Sequence, residues 1–270
     1  MFQLFKSEPL LSEADLTFQV ATYAWLLKHF GGDDFYKTTQ LVLPTSSFFP
    51  EQVSEPKQAA LATFESVKQH AGMATWQCQL VAQDDDINPI VSPTMVVQNA
   101  PVQPNGTFQA TEDNNVVITY KPSLIGQPIQ LVATLAHELS HYLTATAQEP
   151  PPGGWENWEF ATDITATFLG FGIFMANSAF NFRQYSNAES QGWQSNTSGY
   201  LSEQEHIYAL AIFLKLKQLP ISYALVHLKP HLRKFLKKAD KELDKSGYIA
   251  ELSEVVYQPN QTDTDSAYEH

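Results

Sequence analysis

The chain of 270 residues holds one cysteine, Cys78. No disulfide can form within it, and a reducing compartment is expected. Cys78 lies in Thr75-Trp76-Gln77-Cys78-Gln79-Leu80-Val81, whose alternation of apolar and polar residues predicts a strand with the thiol buried in it. Basic residues are also scarce. Lys and Arg number 16 against 29 Asp and Glu, a net charge of −13, which disfavours nucleic acid as a partner. Long apolar runs are missing as well. The uncharged stretch from Ile164 to Phe182 approaches spanning length, but Asn177, Asn181, hydroxyl side chains and glycines interrupt it. It predicts a buried core helix, not a transmembrane span. Met1 to Pro9 lacks a charged segment followed by an apolar run, so no secretory signal is evident and the cytoplasm is the expected compartment. With 43% hydrophobic residues the chain is able to bury one sizeable core.

Against this background stands His137-Glu138-Leu139-Ser140-His141, which fits the pattern His-Glu-x-x-His. On a helix, positions i and i+4 share a face, so both imidazoles can reach one metal ion. Glu138, one residue along, is placed to take a proton from a metal-bound water. At random, such a pentapeptide falls in roughly one or two chains in a hundred of this composition, so its context has to decide.

The context is helical. Val132, Leu135, Ala136, Leu139 and Leu143 follow helical spacing, and Pro128 suits a first turn. A catalytic zinc site needs a third protein ligand and an open position. Downstream, the candidates are Glu156, Glu159 and Asp163. Glu159 and Asp163 are four apart on a second helical pattern, and the uncharged stretch that begins at Ile164 follows directly. A carboxylate at the mouth of such a helix is costly unless paired or bound to metal. Between the two patterns, Pro150-Pro151-Pro152-Gly153-Gly154 breaks the helix and turns the chain, which allows the two helices to pack as an antiparallel pair.

In these residues the chain resembles the gluzincin metallopeptidases, which pair a His-Glu-x-x-His helix with a following helix carrying Glu-x-x-x-Asp. The matching residues are His137-Glu138-Leu139-Ser140-His141 and Glu159-Phe160-Ala161-Thr162-Asp163. The resemblance implies a Zn2+ ion held by His137, His141 and Glu159, with Asp163 accepting the ring N–H of His137. Asp163 as third ligand, supported by Glu159, is the alternative. Further segments, Thr162 to Ser178, Gly199 to Glu203 and Tyr208 to Ala211, are similar to a group of uncharacterised bacterial proteins with the same zinc motif. The metzincin pattern is excluded, because no His lies between His141 and His206.

The fold class expected is α+β: a small mixed or antiparallel sheet in the N-terminal half, the zinc helix, then a mostly helical C-terminal half. One domain over 1–258 is expected, with an α/β part (1–126), a helical part (127–258) and a disordered tail at 259–270. Helices are predicted from about Ser12 to Phe30, Gln58 to Ala71, Glu203 to Lys217 and Pro220 to Leu228. Strands are predicted at Leu41–Pro44, Thr75–Val81 and Asn115–Tyr120, with Thr94–Gln98 and Gly106–Ala110 pairing. Asn181 to Gly199 reads as a long loop. Seven of the Lys and Arg fall between Lys229 and Lys245, on the polar side of an amphipathic helix whose apolar face is Leu232, Phe235, Leu236, Ala239 and Leu243.

Glu138 is the expected general base in hydrolysis of a peptide or protein substrate by a zinc-activated water. Tyr142, Tyr200, His206 and Tyr208 are candidate donors to the oxyanion. By the family resemblance, the strand Val116–Tyr120 would bind substrate along its edge. The alternative function is a catalytically silent or latent zinc-binding protein that acts as a sensor or interaction module.

Overall fold

The computed structural model describes residues 8–50, 53–83, 90–92, 95–96, 105–110, 116–186 and 200–259. The first helix, α1, spans Glu13–Phe30, and Ser12 caps it by accepting the N–H of Asp15. Tyr23 on α1 donates its hydroxyl to the carbonyl of Ala209 at 2.7 Å. Leu41–Pro44 forms no strand. The N–H of Val42 is taken by the carbonyl of Gly170 at 3.0 Å, so it has no ladder to join. Helix α2, Pro56–His70, starts on a proline, with the Glu55 carboxylate accepting the N–H groups of Lys57 and Gln58.

The sheet is mixed. β1 (Gln79–Ala82) runs parallel to β5 (Val116–Tyr120), and β4 (Gly106–Ala110) runs antiparallel to β5 on its other side. The short strands β2 (Ile90–Ser92) and β3 (Met95–Val96) pair with each other, so Met95 and Val96, the described part of the 94–98 segment, do not join Gly106–Ala110 as expected. Cys78 sits ahead of β1 and is half-buried. Val116, Ile118 and Tyr120 point into the core from β5.

Helix α3, Pro128–Thr144, packs on this sheet, and every residue from Gln130 to His141 is buried. Each large aliphatic side chain removed from water contributes roughly 1.5–3 kcal/mol. Leu131, Val132, Leu135 and Leu139 therefore fix the rotation of the helix. After a 3-10 turn at Trp155–Asn157, α4 runs over Trp158–Ala166 and passes through a π-turn, Thr167–Phe171, into α5, Gly172–Ser186. Gly170, at φ 102° within the π-turn, lets its backbone lie against the 40–42 segment. A Cβ there would fall 2.1 Å from the carbonyl oxygen of Gln40. Because α5 reaches Ser186, the first part of the expected 181–199 loop is helical; 187–199 lie outside the described residues.

The remaining helices are α6 (Glu203–Leu216), α7 (Ser222–Leu225), α8 (Pro230–Leu243) and α9 (Tyr248–Ser253). Two apolar clusters result. One gathers α1, α6 and α8, and the other lies between α2, the sheet and α3. Helix α4 joins them, with Ile164 in the first and Ala166 in the second. The architecture is α+β, with the sheet in the N-terminal half and helices in the C-terminal half. No described helix is long and apolar enough to cross a membrane. Of the tail expected at 259–270, residues 260–270 lie outside the described ones.

Candidate metal centre

Helix α3 turns His137 and His141 onto the same side, where α4 brings Glu159. The two Nε2 atoms are 3.1 Å apart, and Oε2 of Glu159 lies 3.3 Å from each. These three residues form a group able to hold a metal ion, their ligand atoms all lying within 4.8 Å of one another. Both imidazoles are buried, whereas the Glu159 side chain is nearly half-exposed.

Each histidine is oriented through its other nitrogen. Nδ1 of His137 lies 2.9 Å from Oδ1 of Asp163, which is 1% exposed. The second oxygen of Asp163 accepts the backbone N–H of Leu201 at 3.0 Å. For His141 the partner is Thr162, whose Oγ1 lies 3.3 Å from Nδ1. The Thr162 hydroxyl gives its own hydrogen to the carbonyl of Trp158 at 2.8 Å, so it accepts from Nδ1–H of His141. Both Nε2 lone pairs are thereby aimed at the space beside Glu159, as metal-binding imidazoles require. Trp158 fixes the start of α4 by donating its indole N–H to Oγ1 of Thr144 at 2.8 Å. Its ring stands edge-on to that of His141, and the Phe108 ring lies nearly parallel to the same imidazole.

A cleft of about 380 Å³ opens on this group, lined by Gly106, Thr107, Phe108, Glu138, Trp158 and Tyr200 in addition to the three residues above. A larger cavity of about 610 Å³ between the 47–53 segment and α2 shares no lining residue with it. Glu138 is 6% exposed. Burial, with the charge of Glu159 adding to it and His137 opposing, pushes its carboxyl up to about 7. Burial also works against ionisation of Glu159, but the pull of His137 and His141 outweighs it and holds that carboxyl below the ordinary range. His141 is lowered chiefly by burial. His137 is raised: burial opposes its charge, but Asp163 and Glu159 more than compensate.

Known protein families, curated proteins and solved structures give no match to this chain. Its site is therefore described by its own geometry.

The structure brings His137, His141 and Glu159 together, puts Asp163 behind His137, and lays Glu138 in the cleft. Asp163 meets His137 at Nδ1, not at Nε2, and its other oxygen is held by Leu201. Of the four tyrosine and histidine candidates for an oxyanion donor, Tyr200 lines the cleft, its ring 5.6 Å from that of His137. Tyr142 is directed to the carbonyl of Gln77. Tyr208 is buried in the α1–α6–α8 cluster. His206 is wholly buried behind Asp163, with Nε2 3.6 Å from Oδ2. The strand at the cleft is β4, not β5. Val116–Tyr120 is flanked on both sides and has no free edge. Thr162, Gly106 and Trp158 are contributors that sequence reasoning missed. Each has a local signal, a helical threonine, a glycine and a tryptophan, but its role depends on how α4 and β4 register on α3.

Proposed function

We propose that His137, His141 and Glu159 hold a zinc ion and that the protein hydrolyses peptide bonds. The observation that carries this reading is the triangle of 3.1, 3.3 and 3.3 Å between the three ligand atoms. Tetrahedral zinc, with ligands at ~2.0–2.1 Å, separates its ligand atoms by about 3.3–3.4 Å. The donor set, two imidazoles and a carboxylate, is also the chemistry zinc takes in catalytic sites. When bound, such an ion supplies a Lewis acid for the scissile carbonyl and a water acidified toward neutrality.

The residues of the chain supply the rest. Glu138 takes a proton at its carboxylate and passes it to the departing amine. Its place in the cleft, beside the three proposed ligands, suits both transfers. Asp163 and Thr162 keep the imidazoles in one tautomer. Tyr200, which lines the cleft with its ring 5.6 Å from that of His137, donates its hydroxyl to the developing oxyanion. An extended substrate lies along β4, whose Gly106 to Phe108 segment borders Glu138. Among the described residues β4 pairs on one side only, with β5, which leaves backbone groups for strand addition. This reading follows what the resemblance of the two motifs to the gluzincin peptidases implies. The single cysteine suits a reducing compartment, and the cytoplasm is the one we propose.

The test is metal analysis of freshly purified protein followed by digestion of a peptide library. One zinc per chain, with cleavage lost in Glu138→Gln, is the expected result. A metal-loaded protein that cleaves nothing leaves a binding role, and a protein without metal sinks the reading at its root.

A further inference from the structure

Helix α8 carries charges of both signs, and the fold separates them. Its acids, with Asp244 at its C-cap, are tied to other elements of the protein. Asp240 and Asp244 reach Lys215 of α6 at 2.8 and 2.5 Å, and Glu242 accepts the backbone N–H of Leu10 at 3.1 Å. Leu232, Leu236, Ala239 and Leu243 are buried beneath the helix. The cations are left outside. Arg233, Lys234, Lys237, Lys238, Lys241 and Lys245 form no ion pair among the described residues. Those on α8, Arg233 to Lys241, run in a stripe over roughly 12 Å at helical rise, and Lys245 follows in the turn after the helix. From Lys229 to Lys245, seven cations against three acids give +4, so the remainder of the chain, −13 less +4, carries −17.

Two exposed apolar side chains lie just ahead of α8 in the chain. Tyr223 and Val226, at α7 and its end, are 55% and 69% exposed. Arg233 reaches back toward this part of the chain, its Nε donating to the carbonyl of Leu228, two residues past Val226, at 3.0 Å. A tyrosine and an aliphatic residue exposed just ahead of a cationic helix is a combination that interfacial segments use.

We infer that this face docks on an anionic phospholipid surface, with α8 lying along the headgroups and Tyr223 and Val226 entering the interface. Charge complementarity carries the inference. The acids of α8 are already engaged by the protein, and its cations have no carboxylate partner among the described residues. The stripe lies on a convex helix, which fits a plane of charge better than it grips a single acidic peptide. The apolar pair favours a bilayer over nucleic acid, since a phosphodiester backbone gives Tyr223 and Val226 nothing to enter. The acidic remainder does not prevent docking. At physiological ionic strength its field decays over about 8 Å, less than the ~10 Å thickness of the helix in front of it, and it turns the rest of the molecule away from the surface.

The experiment is co-sedimentation of the full chain with vesicles of phosphatidylcholine alone, or with about one-third phosphatidylserine. Binding that requires phosphatidylserine and weakens with added salt is expected. Combined Lys234→Glu, Lys237→Glu and Lys241→Glu should lower the bound fraction roughly tenfold or more, and the corresponding Lys→Gln triple should lower it less. Tyr223→Ser with Val226→Ser should reduce binding while leaving its salt dependence. The replaced lysines hold no ion pair, so an unchanged thermal midpoint serves as the folding control; if the Glu triple fails it, the Gln triple decides. Equal pelleting with both vesicle types overturns the inference, as does equal pelleting of parent and folded triple variant. Retention on duplex DNA, or self-association through this face, without vesicle binding overturns it too. The readout is independent of the metal and can be repeated in Glu138→Gln.

Discussion

Asp163 and His137 share a buried hydrogen bond, Oδ1 to Nδ1 at 2.9 Å, across the contact between α4 and α3. The other oxygen of the carboxylate is held by Leu201, so Asp163 cannot turn without breaking a second bond. Replacing it with Asn keeps the shape but removes the charge that makes the imidazole a stronger ligand. Asp163→Asn is expected to weaken metal binding by about 10- to 100-fold. Competition with a chromophoric chelator measures this directly, and an unchanged affinity would show that the bond only packs the helices together.

Thr162 does for His141 what Asp163 does for His137, with a hydroxyl in place of a carboxylate. Thr162→Val keeps the volume but deletes the acceptor for Nδ1–H. A loss of about tenfold in metal affinity is expected, at the lower end for such partners because the hydroxyl is neutral. Thr162→Ser should recover most of the loss. If Val and Ser variants behave alike, the hydroxyl has no part in orienting the ring.

Glu138 and His141 lie three residues apart on α3 but should fail differently. Glu138→Gln is expected to bind zinc like the parent and to lose at least about 10²-fold in hydrolysis. His141→Ala should lose the metal and, with it, the rise in thermal midpoint that added zinc gives the parent by mass action. Isothermal titration and thermal melts in zinc and in chelator separate these outcomes. A Glu138→Gln enzyme as fast as the parent would remove Glu138 from its assigned role.

At Gly106, β4 comes close against α3. A Cβ there would meet the methyl of Thr134 at 2.7 Å, the carbonyl of Thr119 at 2.8 Å and Oε1 of Glu138 at 2.9 Å. The carbonyl belongs to the neighbouring strand and cannot yield without opening the sheet. Gly106→Ala should destabilise the fold by about 1–3 kcal/mol, read as a lower denaturant midpoint. Hydrolysis should fall further than the unfolded fraction explains, because the displaced strand also moves off Glu138.

Much of this centre is legible in the residues themselves. The apolar spacing from Val132 to Leu143 sets the face of α3, so the i,i+4 histidines converge. The four-residue step from Glu159 to Asp163 likewise puts both on one side of α4. The strands are harder to order, and for a physical reason. The β-branched run at Val116–Ile118 is the strongest strand signal because β5 is central and buried, so signal strength points away from the cleft edge. β4, which lines the cleft, reads weakly because it is covered on fewer sides. Thr162 looks like any helical threonine until the packing of α4 on α3 is known. Leu41–Pro44 has strand composition, but its amide is spent on the π-turn carbonyl, a contact with no trace in local sequence.

That contact, Val42 N–H to the carbonyl of Gly170, has a practical consequence for dissecting the molecule. It pins the continuation of the Glu159 helix to a segment more than a hundred residues earlier, while Tyr23 on α1 holds the backbone of α6. A chain cut ahead of α3 would therefore leave two fragments, each missing part of the scaffold that aims Glu159 and Asp163. The motif-bearing half, produced alone, would contain every proposed ligand and still lack the bracing that brings them to one point.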